Sequence, residues 1–326
     1  MQKPSAIYLR LPNWIGDVCM SLPCIDALLS TGVPVVVCAR GWARDLLAAY
    51  PLAGFVEMSG RWRADRAAVA EHRKLSRHAH PVGLILPDSL SSAMVFRFAG
   101  VPGAGYRDDG RSLILRWPFR KPVPRPHAVQ AWYGLTRQAL QRWGFDCLPL
   151  PPGKHLGLQL LERHDQECLD ALNTAGLLPG HFVLIAPTAT GLHHGKAKVW
   201  PCFAELTDAL LAQGYAVAMC PPPAEIPEAR RSAPGALCIP SLKLGAFAAL
   251  TRQAALVVCN DSGVSHIAAA AGARQITLFG VTDPERTGPW SGQARCLGSR
   301  TQWPTVDDVE KSVLSELDTP FPGDPE

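Results

Sequence analysis

At 326 residues the chain is long for one core and comfortable for two domains of about 150 residues each. Hydrophobic residues make up 47% and charged residues 18%, a globular balance. No window approaches ~18 consecutive apolar residues, so no transmembrane helix is expected. The formal charge of +4 hides an asymmetry: residues 1–165 carry 21 Lys and Arg against 12 Asp and Glu, and residues 166–326 carry 11 against 16. Much of the basic excess lies in Arg61-Trp62-Arg63, Arg66, Arg73-Lys74-Leu75-Ser76-Arg77 and the stretch from Arg116 to Arg125. Such a half suits nucleic acid, an acidic membrane surface or an acidic glycan, unless it is only a solvated helix face. Ten cysteines are scattered without a C-x-x-C pair, which disfavours zinc and fits buried thiols in a reducing cytoplasm. No signal peptide is expected either, because Ala6 to Leu11 is too short for its apolar region and Arg10 and Asp17 break any longer apolar run.

In chain order, Ala6–Leu11 and Val33–Ala39 read as buried strands with a helix from about Asp17 to Ser30 between them. Val82–Leu86 is another strand, followed by helices around Ser91–Ala99 and Ala128–Trp143. Alternating strands and helices imply a parallel sheet with right-handed crossovers. Proline and glycine then thicken in Leu148-Pro149-Leu150-Pro151-Pro152-Gly153, a linker. The alternation restarts with helix Glu162–Ala175, strand Phe182–Ala186, helix Cys202–Ala212 and strand Ala216–Cys220. Helix Leu244–Arg252, strand Leu256–Cys259, helix Val264–Ala271, strand Ile276–Phe279 and a final helix Asp307–Leu317 complete it. Two α/β domains, 1–155 and 156–326, are expected, their strand ends lining a cleft and the last helix free to pack back on the first domain.

Three loops carry candidate chemistry. Val257-Val258-Cys259-Asn260-Asp261-Ser262-Gly263-Val264-Ser265-His266 is a β-branched run that opens a helix, so free N–H groups and the helix dipole favour a phosphate there. The plainer reading is that Asp261 or Ser262 caps the helix. The first βα turn, Leu11 to Asp17, lacks G-x-G-x-x-G, so a dinucleotide fingerprint is not supported. Asp17 there either caps a helix or serves as a general base. Gly191-Leu192-His193-His194-Gly195-Lys196-Ala197 has the wrong spacing for a P-loop and no hydroxyl after the lysine. What remains is a polar loop bringing Thr188, Thr190, Lys196 and Lys198 to a diphosphate, with His193 and His194 exposed.

Taken in order, these segments resemble the ADP-heptose:lipopolysaccharide heptosyltransferases of glycosyltransferase family 9, more closely type II than type I. The resemblance rests on Pro12-Asn13-Trp14-Ile15-Gly16-Asp17-Val18-Cys19-Met20-Ser21, Leu86-Pro87-Asp88-Ser89, Phe98-Ala99-Gly100-Val101-Pro102, Lys198-Val199-Trp200-Pro201, Asn260-Asp261-Ser262-Gly263 with His266, and Phe279-Gly280-Val281-Thr282-Asp283-Pro284. It implies a glycosyltransferase-B fold of two Rossmann-like domains, acceptor on the first and nucleotide sugar on the second. It further implies inverting transfer from ADP-L-glycero-β-D-manno-heptose to the inner core of lipopolysaccharide, with no cofactor and no essential metal. Position by position, Asp17 looks like the catalytic base and Thr188 or Thr190 and Lys198 like diphosphate ligands. Glu225 looks like the ribose or adenosine contact, Leu242 like the adenine flank, and Asp261, Ser262, Gly263 and His266 like the heptose and phosphate cradle. Asn13 and Trp14, with Arg61, Arg63 and Arg66 from the basic run, complete the acceptor side. One departure is Pro221-Pro222-Pro223 where the family usually has a glycine, since proline withdraws backbone donors near Glu225.

The basic first half then suits an acceptor bearing carboxylates and phosphates at the inner membrane face of a Gram-negative bacterium, with the protein cytoplasmic and peripheral and no nucleic acid as partner. Two other readings stay open. A nucleotide-sugar epimerase of the same shape would need further acid/base residues and no basic acceptor face. A non-catalytic binder of ADP-heptose or lipopolysaccharide core would need neither Asp17 nor Lys198.

Overall fold

Runs of three to five largely apolar residues without strict polar alternation, buried on both faces, become the central strands, as they must where both faces of a parallel sheet are covered. The computed structural model describes residues 3–146, 150–190, 192–193 and 195–318, without the side chains of Leu192, His193 and Lys196. The chain divides into two compact units, 1–153 and 154–326. Of the expected linker, Leu148 and Pro149 lie outside the described residues.

The first unit runs β1 (Ala6–Arg10), α1 (Ile15–Met20), α2 (Leu22–Leu29), β2 (Val35–Ala39), α3 (Ala43–Leu46), β3 (Gly54–Glu57), α4 (Trp62–Ser76), β4 (Pro81–Ile85), α5 (Leu90–Phe98), β5 (Gly103–Tyr106), β6 (Trp117–Phe119) and α6 (Ala128–Arg142). Its strands form one parallel sheet ordered β3-β2-β1-β4-β5-β6, with Tyr8 opposite Val36 on one side and Gly83 on the other. The order reverses between β1 and β4, and sheets of this kind bind ligands beyond the carboxyl ends at that reversal. The single helix expected from Asp17 to Ser30 is two. Pro23 has no N–H to continue α1, so the chain restarts at Ser21, whose hydroxyl donates to the Val18 carbonyl at 2.8 Å.

The second unit repeats the plan with α7 (Glu162–Ala175), β7 (Phe182–Ala186), a two-stranded hairpin of β8 (Leu192–His193) and β9 (Lys196–Ala197), α8 (Phe203–Ala212), β10 (Ala216–Met219), α9 (Ile226–Ser232), β11 (Leu237–Cys238), α10 (Leu244–Gln253), β12 (Leu256–Asn260), α11 (Gly263–Ala271), β13 (Gln275–Phe279), α12 (Pro284–Thr287), β14 (Ala294–Gly298) and α13 (Val306–Leu317). The order β11-β10-β7-β12-β13-β14 is again wholly parallel and reverses between β7 and β12. One face of this sheet packs Val183, Ile185, Val258, Ile276 and Leu278 against Trp200, Phe203 and Leu206. The last helix belongs here: Val309 and Val313 are buried in that cluster, and Arg274 reaches Glu316 at 3.6 Å. Gly280 ends β13 under the Trp303 indole, where a Cβ would come within 2.1 Å of the ring, so only glycine permits the stacking.

The nine described cysteines are all free and six are buried. Burial pushes the thiols of Cys19, Cys24, Cys38, Cys168 and Cys259 up to about 12, so they pack as small apolar groups. Among the described residues no helix is long and apolar enough to cross a membrane.

Candidate active site

At the reversal point of the second sheet, Asn260 ends β12 fully buried. Its Oδ1 accepts from the Trp200 backbone N–H at 2.8 Å, and its Nδ2 donates to the Ala186 carbonyl at 3.2 Å. One side chain therefore ties the end of β7 to the segment that carries Lys198. Sequence reasoning had Asn260 in view without a task, because its two partners lie 60 and 74 residues away.

Around this tie the expected donor residues converge. Thr188, just beyond β7, donates its hydroxyl to Glu225 Oε2 at 2.5 Å. Glu225 closes a short 3₁₀ turn that Pro223 opens beyond β10, so the proline run sets the turn and leaves the carboxylate to make the contact. Lys198 Nζ stands 3.3 Å from Asp261 Oδ2, an oxygen that also accepts from Thr282 at 2.6 Å and Thr287 at 3.4 Å. Asp261 is 3% exposed, so its charge needs these three donors. Thr282 lies in the resembling segments but carried no assignment, and Thr287 falls outside them; nothing in local pattern points a hydroxyl at a residue more than 20 positions earlier.

Ser262 is the N-cap of α11 and takes the Val264 N–H at 3.3 Å, so Asp261 is not the cap. The N–H groups of Gly263 and Ser265 have no carbonyl to bond within the helix, and the positive end of its dipole adds to them. His266 is buried one turn further on. Leu242 is partly buried against the opposite core beside β11. Thr190 is exposed. The side chains of His193, His194 and Lys196 lie outside the described residues.

In the first unit, Asp17 is the third residue of α1. The cap of that helix is Trp14, which makes no side-chain cap bond, so the capping reading of Asp17 fails. Burial pushes the Asp17 carboxyl up to about 6, with no cation offsetting it. Asp26 is raised to the same range but sits on the exposed side of α2, a turn and more from the sheet edge. Position, then, singles out Asp17: a desolvated carboxylate beside the carboxyl end of β1. Asn13 is exposed and fixed by Arg10, whose Nη2 donates to its Oδ1 at 2.7 Å, while Trp14 is 72% exposed. Arg61, Arg63 and Arg66 are exposed at the start of α4, on the same carboxyl edge of the sheet because α4 follows β3. Asp65 holds that start in place by accepting from the Ser59 and Gly60 N–H groups at 2.7 and 3.2 Å. A further cluster gathers beyond β4, where Asp88 meets Lys121 at 2.7 Å, Arg111 at 3.5 Å and Arg125 at 4.0 Å.

Two doubly wound parallel sheets of this order define the glycosyltransferase-B class of fold. The chain belongs to glycosyltransferase family 9, the heptosyltransferases, whose family model matches residues 69–317, and it is a glycosyltransferase. It is 28% identical over 314 residues to lipooligosaccharide heptosyltransferase 2 of Haemophilus influenzae, covering 88% of this chain and 86% of that one. It is equally 28% identical over 317 residues to lipopolysaccharide heptosyltransferase 2 of Escherichia coli, with the same coverage. The structure of E. coli ADP-heptose LPS heptosyltransferase II shares the fold with a TM-score of 0.72, 24% identity and 98% coverage of both chains.

Proposed function

We propose that the protein transfers heptose from ADP-L-glycero-β-D-manno-heptose to the inner core of lipopolysaccharide with inversion at the anomeric carbon and without an essential metal. The names of the curated relatives support the substrate class. The observation that carries the reading is the gathering of Thr188, Glu225, Lys198, Asp261 and Ser262 at one sheet edge, from four separate loops. A carboxylate beyond the second strand of such a unit suits ribose hydroxyls, so Glu225 takes the nucleoside, flanked by Leu242. Lys198 and the open N–H groups of Gly263 and Ser265 take the diphosphate, with Thr188 beside them. Asp261 and His266 face the sugar.

In the reaction the acceptor oxygen forms a bond to the heptose anomeric carbon as the bond from that carbon to the phosphate oxygen breaks. The electron pair leaves with ADP, and the acceptor proton passes to Asp17. A carboxylate raised to about 6 is a stronger base than an ordinary aspartate and is still ionised at neutral pH. Lys198 and the α11 terminus stabilise the charge that grows on the leaving diphosphate. Asn13, Trp14, Arg61, Arg63 and Arg66 contact the acceptor, whose carboxylates and phosphates match the arginines in charge. The enzyme works at the cytoplasmic face of the inner membrane as a peripheral protein. Incubation with ADP-heptose and a panel of truncated cores, read by mass, tests this: one core gaining a single heptose is expected, and no gain on any core overturns it.

A further inference from the structure

Arg10 closes β1 as the one charged residue of a strand that is otherwise Ala6, Ile7, Tyr8 and Leu9. It is 4% exposed, and among the described residues its guanidinium pairs with no carboxylate. Burial holds it below its ordinary pKa, while the charge of Asp65 opposes that shift and the charge of Arg40 adds to it. A buried, unpaired cation costs stability, so a strand end that needed only packing would hold one more apolar side chain. What the guanidinium touches is neutral. Nη1 donates to the Leu11 carbonyl and, at 3.5 Å, to the Cys38 carbonyl, and Nη2 donates to Asn13 Oδ1 at 2.7 Å. The Cys38 carbonyl already takes the Leu11 backbone N–H at 3.1 Å, so the bond to Asn13 is the distinctive one. Arginine has five donors and no acceptor, so it dictates which way the Asn13 amide faces. The oxygen turns in to the guanidinium and the NH2 group turns out, where Asn13 is exposed and its Nδ2 has no partner among the described residues.

We propose that Arg10 is a positioning residue that locks Asn13 as a hydrogen-bond donor, and that Asn13 thereby binds an anionic oxygen of the acceptor glycan. The inference rests on the reading of Asn13 as an acceptor contact. An asparagine free to turn offers its oxygen as well as its nitrogen, and an anionic oxygen is repelled by the first. Held by Arg10, the amide adds a directional contact from the turn that leads to Asp17, beside the exposed Arg61, Arg63 and Arg66 at the start of α4. Support of the turn alone makes a different demand, since any side chain that accepts from Arg10 would serve. Aspartate separates the two roles: it keeps the bond to Arg10 and replaces the outward NH2 group by a carboxylate oxygen.

The test is transfer from ADP-heptose to the core that gains a heptose, read as acceptor KM and donor KM for the full chain, beside melting temperature. Asn13→Asp should melt no lower than wild type, because the contact with Arg10 becomes an ion pair. Its acceptor KM should rise about ten- to a hundredfold, the range of a hydrogen bond to a charged group, while the donor KM stays level. Arg10→Met should also raise the acceptor KM. Arg10→Lys, which keeps the charge and a donor, should raise it less and replaces Arg10→Met if that variant does not fold. Neither should add to the acceptor KM of Asn13→Ala, as where one residue acts only through the other. A dephosphorylated core separates two sources of the oxygen: a penalty that persists puts the contact on a carboxylate, one that vanishes puts it on a phosphate, and both support the lock. A wild-type acceptor KM in Asn13→Asp, or Arg10 and Asn13 penalties that add in full, overturns the proposal and leaves the transfer function standing. Failure of wild-type protein to transfer to any core overturns the functional reading and this inference with it.

Discussion

The Lys198 ammonium lies 3.3 Å from an Asp261 carboxylate oxygen that Thr282 and Thr287 also bond. The lysine proposed for the diphosphate therefore has a resident counter-ion, held in place by two hydroxyls. Binding ADP adds a second anion to Lys198 without leaving Asp261 unpaired, because the threonines remain. Lys198→Ala should weaken ADP binding about ten- to a hundredfold, the range of a charge-assisted contact of ~1.5–3 kcal/mol, and should slow transfer as well. Calorimetry with ADP and a turnover assay check this; unchanged values in both would move the diphosphate role to the backbone of α11.

Glu225 should matter to the nucleoside and not to the diphosphate. Glu225→Gln keeps the shape and an acceptor for Thr188 but removes the charge that suits ribose hydroxyls. ADP affinity should fall about tenfold, while affinity for inorganic pyrophosphate stays level. A parallel loss for both ligands would make Glu225 a support for the Thr188 loop only.

Asn260 is the tie that holds Lys198 and Thr188 to one strand end. Asn260→Ala would leave the Trp200 N–H and the Ala186 carbonyl without their partner, at about 1–3 kcal/mol for each buried group. A lower melting temperature together with weaker ADP binding is expected by thermal shift and calorimetry. A stable variant with normal ADP affinity would show that neighbouring contacts position the loop.

Acceptor use should respond to salt more steeply than donor use, because exposed arginines are screened beyond about 8 Å at physiological ionic strength. Reversing Arg61, Arg63 and Arg66 to Glu should raise the acceptor KM and spare the donor KM. Equal salt slopes for both substrates, with a silent triple reversal, would take these arginines out of acceptor recognition.

Much of this architecture is legible along the chain where an element carries its own signals. Helix α7 begins and ends where periodicity and Gly176 place it, and β7 is a bare apolar pentamer. Among the strands that escape notice, β3, β5 and β6 are short and hold Gly54, Gly103, Gly105 and Pro118, and β8, β9, β11 and β14 escape with them. Local propensity disfavours such residues in strands, and neighbouring strands rather than sequence pattern hold them there. The site divides the same way. Asp17 and Ser262 are readable from a strand–turn–helix grammar. The Thr188–Glu225 pair needs the parallel pairing of β7 with β10, and the Thr282 and Thr287 bonds to Asp261 need the fold of the loop beyond β13.

Asp17 should leave two marks that separate a base from a structural residue. Its carboxyl must be ionised to accept a proton, so kcat/KM should fall as pH drops through about 6. Because the folded-state value is raised above the ordinary carboxylate value near 4, the folded protein holds this proton more tightly than the unfolded chain does. Stability from this group is therefore full below about pH 4 and is lost as pH rises through about 6. Asp17→Asn, which mimics the protonated form, should melt higher than wild type at pH 8 and lose that advantage near pH 4.

The most direct measurement is acceptor-dependent ADP release by wild type and Asp17→Asn across pH 5 to 9, with ADP affinity measured alongside. The account predicts release only when a core acceptor is present, an acid limb near pH 6 in wild type, and a rate about 10²–10⁴-fold lower in the variant at unchanged ADP affinity. ADP release without acceptor at the same rate, or near-normal turnover by Asp17→Asn, would contradict it.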